Sequence, residues 1–137
     1  MSVFKAYDIR GLAGSQLDAE FARRLGSALV THVDAKSIAV ARDIRESGPE
    51  LHEAFLLGIT ESGADVIDLG ITTTGVLYRA TVDLSVDAAV AITASHNPPE
   101  YNGFKICRGT LPMAGEELQE LKLSLIHISE PTRRSVI

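Results

Sequence analysis

The sequence predicts a three-layer α/β/α domain, in which helices cover both faces of one β-sheet. Short apolar runs alternate along the chain with stretches in which apolar residues recur at helical spacing. The runs at residues 37–41 and 88–93 are typical of strands that are buried on both faces. The chain has 137 residues, 45% of them hydrophobic, which suits one domain with a substantial core.

The first predicted elements are a strand and a helix. Residues 3–9 are extended in character and lead through Arg10 and Gly11 into a glycine-containing loop. Asp18 is a suitable N-cap for a helix that ends near Val33. The predicted inner face of this helix consists of Phe21, Leu25, Ala28, Leu29 and His32.

The second predicted strand, residues 37–41, leads into a second helix. The string Ser47-Gly48-Pro49-Glu50 has the spacing of a capping box, and proline is tolerated in a first helical turn. Gly63 suits the stop of this helix. The predicted inner face consists of Leu51, Ala54, Phe55, Gly58, Ile59 and Ser62.

The pattern continues with strands at 64–69 and 88–93 and a short helix at 76–84 between them. The predicted inner face of that helix consists of Leu77, Ala80, Thr81 and Leu84. Asn102-Gly103 is typical of a turn and leads into a last strand at 104–107. These elements predict right-handed crossovers in an α/β sheet.

The C-terminal segment departs from this pattern. A helix begins near Gly115, but its apolar periodicity is lost after Lys122. We therefore expect one domain over residues 1–122 and a non-native tail over 123–137 that lacks stable packing. Residues 123–133 also resemble translated sequencing-adaptor read-through, and the alternative is a native but unusual C-terminus.

Composition excludes several classes of protein. A net charge of −5 argues against nucleic acid or an anionic membrane as a partner. Cys107 is the single cysteine, so no internal disulfide forms. No run reaches the roughly 20 apolar residues that span a bilayer, and no export signal is visible. We expect a cytoplasmic protein.

The segment from Thr93 to Lys105 is the strongest candidate site. Ser95 follows a buried strand, at the sheet edge where ligands bind in α/β folds. A serine there is suited to carry a transferable group, and a phosphoserine would need cations nearby. The chain can turn back after this loop and bring Lys105 close to Ser95. His96 is a doubtful direct base for Ser95, because the side chains of adjacent residues diverge in extended backbone. The structural alternative is a turn in which Ser95 and Asn97 bond only to backbone.

Two arginine clusters follow other strands. Tyr7-Asp8-Ile9-Arg10-Gly11 presents a guanidinium suited to phosphate, unless it is an ordinary surface arginine. The string 42–48 follows a strand and precedes a helix, where it could hold an anion, but we favour a structural role in which Arg42 and Asp43 tie the loop to neighbouring loops. His32 and His52 are expected to be packing or surface residues, and metal-ligand spacing is absent.

Taken in order, these clusters resemble the first domain of the α-D-phosphohexomutases. The matching strings are Phe4-Lys-Ala-Tyr-Asp-Ile-Arg-Gly11, Arg42-Asp-Ile-Arg-Glu-Ser-Gly48 and Thr93-Ala-Ser-His-Asn-Pro98. The continuation to Lys105 is most similar to the phosphomannomutase and phosphomannomutase/phosphoglucomutase branch. The resemblance covers residues 3–122, and segment 72–75 departs from it by lacking the proline common in that loop.

The resemblance implies a mixed, mostly parallel sheet and transfer of phosphate between the 1- and 6-positions of a hexose phosphate, mannose first and glucose second. Ser95 is then the catalytic phosphoserine, and hexose 1,6-bisphosphate is the intermediate and activator. Mg²⁺ is expected to bind the Ser95 phosphate and three aspartates of a later domain. The other site residues implied are catalytic Arg10, Lys105 and His96 and substrate-binding Tyr7 and Asn97.

The resemblance also implies that domains II to IV are missing partners of this fragment, so the fragment alone is expected to be inactive. Two alternatives stay open: a fragment of a phosphoglucosamine mutase and a free-standing phosphosugar-binding module.

Overall fold

A computed structural model describes residues 2–128, which form a three-layer α/β/α fold. The elements in chain order are β1 Ile9–Leu12, α1 Ala19–Val33, β2 Ser37–Arg42, α2 Gly48–Glu61, β3 Asp65–Ile71, α3 Thr74–Asp83, β4 Ala88–Ile92, β5 Tyr101–Arg108, β6 Leu111–Pro112 and α4 Glu116–Ile128. The strands form one sheet in the order β1-β5-β4-β2-β3, and β6 pairs with β5.

The sheet is mixed, as the resemblance implies; in the described part of the chain, five of its six strands run in one direction, although three of its five pairings are antiparallel. β2 runs parallel to both β3 and β4. β5 is antiparallel to β4, β1 and β6, so within residues 2–128 it is the one strand that opposes the others. The carboxyl ends of β2 and β4 therefore lie together at one edge of the sheet, next to the start of β5.

Helices cover both faces of the sheet. One face packs against α1, α2 and α4, and its core includes Phe55 and Phe104, whose ring centroids are 5.2 Å apart. The other face packs against α3, and its buried residues are Ala39, Ala41, Leu77, Val86, Ala89, Ala91 and Cys107. Between residues 2 and 128, no helix is long and apolar enough to cross a membrane.

Most of the predicted elements are confirmed. Asp18 caps α1, because its carboxylate accepts a 2.9 Å hydrogen bond from the Phe21 amide. Gly63 follows α2 with a φ of +95°, a left-handed conformation that glycine adopts without strain. The capping box at Ser47 is wrong: its side chain does not cap α2 and instead accepts a 2.7 Å hydrogen bond from Asn102 Nδ2.

The predicted turn at Asn102-Gly103 is also wrong, since both residues lie within β5. A Cβ on Gly103 would collide with the carbonyl oxygen of Ile9, so this glycine permits close approach of β1 rather than a turn. Two smaller corrections follow: β1 begins at Ile9, so residues 3–9 are not one strand, and Leu84 is 47% exposed.

Helix α4 corrects the expected loss of structure after Lys122. It continues to Ile128, and Leu125 is only 6% exposed in the same core as Leu118 and Leu121. Spacings of three and four residues place these leucines on one helical face. The helical periodicity therefore continues past Lys122, where it was expected to be lost. Residues 129–137 lie outside the described residues, and the non-native origin of the tail stays a prediction.

Candidate functional site

An open cavity of about 320 Å³ lies beside the loop that follows β4. The six predicted site residues line it together with Ala6 and Asp8; they are Tyr7, Arg10, Ser95, His96, Asn97 and Lys105. The fold thus brings together residues from the segment before β1, from β1, from the loop after β4 and from β5.

Ser95 has an unusual backbone conformation for a residue other than glycine. Its φ is +55°, and this left-handed region costs an L-residue about 1–2 kcal/mol. Its amide donates to Thr93 Oγ1 at 3.0 Å, and its carbonyl oxygen accepts from Arg45 at 2.8 Å. Both backbone groups are therefore held, while the exposed hydroxyl lines the cavity.

Asp8 joins the two cations of the cavity. One of its carboxylate oxygens accepts from Arg10 Nε at 2.9 Å, and the other accepts from Lys105 Nζ at 3.1 Å. Asp8 is 5% exposed, whereas the Arg10 and Lys105 side chains are 37% and 32% exposed. Two partly exposed cations face one buried anion, which leaves the cluster with a net charge of +1 and suits an anionic ligand.

The register of β1 against β5 explains this convergence. Ile9 pairs with Phe104 and Arg10 with Gly103, so Asp8, which precedes Ile9, lies near Lys105, which follows Phe104. A Cβ on Gly103 would lie 3.0 Å from Arg10 Cγ, so glycine leaves room for the arginine side chain to lie across β5.

The loop after β2 supports the loop of Ser95. Asp43 accepts a 2.6 Å hydrogen bond from Thr93 Oγ1 and a 3.3 Å bond from Arg45 Nε. Arg45 in turn donates to four carbonyl oxygens between Ser95 and Tyr101. The structural role favoured for this string is confirmed for Asp43, but Arg45 rather than Arg42 binds the neighbouring loop, since the Arg42 side chain donates to the carbonyl oxygen of the adjacent Asp43 at 3.4 Å.

The remaining predicted residues differ in how they are held. Asn97 Nδ2 donates to the Ala94 carbonyl oxygen at 2.8 Å, so its amide supports the loop. Tyr7 is 79% exposed at the rim, and His96 is exposed. Because Ser95 is left-handed rather than extended, the argument that the His96 and Ser95 side chains diverge does not apply here.

Two other histidines are packed against carboxylates, as expected. His32 Nε2 lies 3.1 Å from Glu117, and the buried His52 has Nε2 2.9 Å from Asp68 beside a second open cavity. Among residues 2–128 no three His, Cys, Asp or Glu side chains converge as a metal site. Asp8, the carboxylate of the main cavity, is already paired with two cations, so the described residues do not form a Mg²⁺ site by themselves.

Sequence reasoning did not select Asp8, Arg45 or Gly103 as site residues. Asp8 lies within the string that contains Arg10, and its spacing of two residues from Arg10 on an extended segment was the signal available. Arg45 likewise stands two residues from its partner Asp43, but nothing in the sequence indicates its other partners, which are backbone carbonyls 50 to 56 positions away.

Comparison with known proteins agrees with this architecture. The family model described as phosphoglucomutase/phosphomannomutase, alpha/beta/alpha domain I, matches residues 1–130. The chain belongs to this family. The family-level resemblance of the three motifs is thereby confirmed.

Relatives of this family are much longer than the chain. A phosphoglucomutase of Neisseria meningitidis serogroup B is 47% identical over 127 residues, which are 90% of this chain and 27% of the relative. A phosphomannomutase/phosphoglucomutase of Pseudomonas aeruginosa is 44% identical over 88% of this chain and 27% of its own length. The crystal structure of a family protein from Burkholderia thailandensis superposes with a TM-score of 0.87 at 40% identity, over 93% of this chain and 30% of that one.

Proposed function

We propose that this chain acts as domain I of a phosphohexomutase that interconverts hexose 1-phosphate and hexose 6-phosphate through a phosphoserine at Ser95. The observation that carries the proposal is the exposed Ser95 hydroxyl, held in left-handed backbone in one cavity with Arg10 and Lys105. Membership of the family supports the reaction class.

Each half-reaction transfers one phosphoryl group. A hydroxyl oxygen of the sugar phosphate attacks phosphorus, the bond between phosphorus and Ser95 Oγ breaks, and the hydroxyl proton passes to Oγ. The hexose 1,6-bisphosphate then reorients, and Ser95 Oγ attacks its other phosphate and passes its own proton to the sugar oxygen. Arg10 and Lys105 are placed to stabilise the negative charge on the transferring group.

Asp8 is a positioning residue in this scheme. Its carboxylate holds both cations at the cavity wall before phosphate arrives. His96, Tyr7 and Asn97 stay predicted site residues, with His96 and Tyr7 exposed toward incoming sugar.

Mg²⁺ would be held by the phosphate of Ser95 and by three aspartates of a later domain. The ion would neutralise charge on the phosphoryl group. The substrate is a hexose phosphate of the mannose series, with glucose as the second candidate. Domains II to IV would supply the rest of the site, and a cytoplasmic location stays a prediction.

The test is a chimera in which this chain replaces the first domain of the Pseudomonas aeruginosa relative. We expect the chimera to convert mannose 1-phosphate or glucose 1-phosphate to the 6-phosphate, and Ser95→Ala to lower the rate by about 10³-fold or more. Ser85→Ala is the matched control, because Ser85 is also exposed and also left-handed, with a φ of +55°. Equal activity of the two variants would contradict the phosphoserine.

A further inference from the structure

Three carbonyl oxygens of the loop between β4 and β5, and that of Tyr101 at the start of β5, are bound to one side chain. Arg45, whose side chain is 12% exposed, donates to the carbonyl oxygens of Ser95 at 2.8 Å, Asn97 at 2.9 Å, Pro98 at 2.7 Å and Tyr101 at 3.1 Å. A planar guanidinium with five N–H donors in fixed directions suits several acceptors at once.

Other carbonyl oxygens of this loop are also bonded. That of Ala94 accepts from the backbone amide and the side-chain amide of Asn97, at 3.0 and 2.8 Å. That of Glu100 accepts from the Ala13 amide at 2.9 Å. In contrast, the backbone N–H of His96 makes no hydrogen bond with any residue in the range 2–128, and His96 lines the cavity next to Ser95.

This distribution of donors and acceptors bears on anion binding. A carbonyl oxygen that faces a phosphate repels it, whereas a backbone N–H attracts it. With the carbonyl oxygens of Ser95, Asn97 and Pro98 held by Arg45, the loop offers the Ser95 hydroxyl and the backbone N–H of His96 to a ligand.

Arg45 is itself fixed to the end of β2. Asp43 Oδ2 accepts from Arg45 Nε at 3.3 Å and from Thr93 Oγ1 at 2.6 Å, and Thr93 Oγ1 accepts from the Ser95 amide at 3.0 Å. The two backbone groups of Ser95 are thus both connected to the pair of Asp43 and Arg45, which offsets the cost of the left-handed conformation.

We propose that Arg45 is a positioning residue that shapes the loop for phosphoryl groups, by keeping the carbonyl oxygens of Ser95, Asn97 and Pro98 off the cavity and holding Ser95 left-handed. The inference rests on the proposed function of Ser95 and adds to it a residue that never touches substrate. Lysine cannot replace it, because one ammonium has three donors at a single point and cannot serve four carbonyl oxygens.

The experiment uses the 137-residue chain labelled with ¹⁵N and inorganic phosphate as the probe. Backbone amide shifts of Ser95 and His96 are followed during phosphate titration in the wild type, Arg45→Lys, Arg45→Met and the control Arg42→Met. Arg42 ends β2, three residues before Arg45, and its side chain makes one long hydrogen bond, to the carbonyl oxygen of Asp43. Amide shifts of core residues such as Phe55 report whether each variant folds.

We expect phosphate to shift the NMR signal of the His96 backbone amide in the wild type and in Arg42→Met. In Arg45→Lys, the affinity of the chain for phosphate should fall at least tenfold. Where Arg45→Met does not fold, Arg45→Lys decides. In the active chimera we expect Arg45→Lys to lower kcat more than it raises KM. The melting temperature of this variant should stay close to that of an Arg42→Lys chimera, which serves as the matched control.

Two results would overturn the role of Arg45: wild-type phosphate affinity in Arg45→Lys, or no shift of the His96 amide in the wild type. Neither result depends on turnover. Failure of the proposed function would appear separately, as an active Ser95→Ala chimera.

Discussion

At the scale of residues, the ion pairs of Asp8 determine how each cation responds to substitution. Lys105 and Arg10 share one buried carboxylate, so removing one leaves the other held. In the active chimera we expect Lys105→Met to lower kcat by about 100-fold with a smaller change in KM, since Lys105 would act on charge that develops during transfer. Steady-state kinetics on the 1-phosphate substrate measure both constants.

The matched control for this prediction is Arg108→Met. Arg108 lies on the same strand, is 48% exposed and pairs with Glu117 away from the cavity residues. Its loss should leave kcat unchanged. A rise in KM alone for Lys105→Met would instead make Lys105 a uniform clamp on the substrate.

Cys107 gives a prediction about pH. Burial raises the pKa of its thiol, and burial likewise raises the pKa of the neighbouring Tyr78 hydroxyl. Above the ordinary thiol pKa of about 8.5 the unfolded chain loses this proton while the folded chain keeps it, so the free energy of unfolding falls as pH rises. Urea unfolding between pH 7 and pH 10 should show this fall.

The control is Cys107→Ala, whose free energy of unfolding should depend less on pH. The Tyr78 hydroxyl would account for the dependence that remains. The wild-type thiol should also react slowly with a disulfide reagent at neutral pH until urea is added, because Cys107 is 4% exposed. Rapid reaction of the folded chain would contradict the buried, protonated thiol.

The sequence predicted the cavity residues better than their partners. Ser95 and Lys105 were selected because strand ends and a returning chain place them at one edge of the sheet. Asp8 was not selected, because its pairing with Lys105 depends on how β1 lies against β5, which sequence alone left open. Arg45 was not selected either, because every residue has a backbone carbonyl, so the sequence does not indicate which ones an arginine will bind.

At the scale of elements, the strand pattern was the more reliable guide and the local turn signal the less reliable one. Asn102-Gly103 has the composition of a turn, yet both residues lie within β5 because Gly103 allows β1 to approach. The chain reverses before them instead, in the loop that Pro98 and Pro99 restrict. Local propensity was overridden here by packing between strands.

Helix α4 gives a prediction about stability. Leu125 is 6% exposed against the core, whereas Leu123 on the same helix is 60% exposed. Leu125→Ala should lower the free energy of unfolding by about 2–4 kcal/mol because it removes buried methyl groups and leaves a cavity. Urea unfolding of the 137-residue chain measures the change.

Leu123→Ala serves as the control and should change stability by less than about 0.5 kcal/mol. Equal effects of the two substitutions would show that α4 does not pack through this face. Deletion of residues 123–137 should accordingly destabilise the domain.

At the scale of the whole molecule, the chain spans about 27% of the curated relatives it matches. Its cavity is open and, among residues 2–128, no three carboxylate, His or Cys side chains converge for a metal. We therefore expect the 137-residue chain alone not to interconvert mannose 1-phosphate and mannose 6-phosphate in the presence of Mg²⁺ and hexose 1,6-bisphosphate. Sustained formation of the 6-phosphate, absent in Ser95→Ala, would show that the described residues suffice.

The most direct measurement of the central claim is the location of the phosphate during turnover. The active chimera is incubated with hexose 1,6-bisphosphate carrying labelled phosphate, quenched, digested and analysed by mass spectrometry. We predict that label appears on the peptide that contains Ser95, is absent from Ser95→Ala and is lost when unlabelled hexose 1-phosphate is added. Label on another residue, or continued turnover with no label on Ser95, would contradict the account.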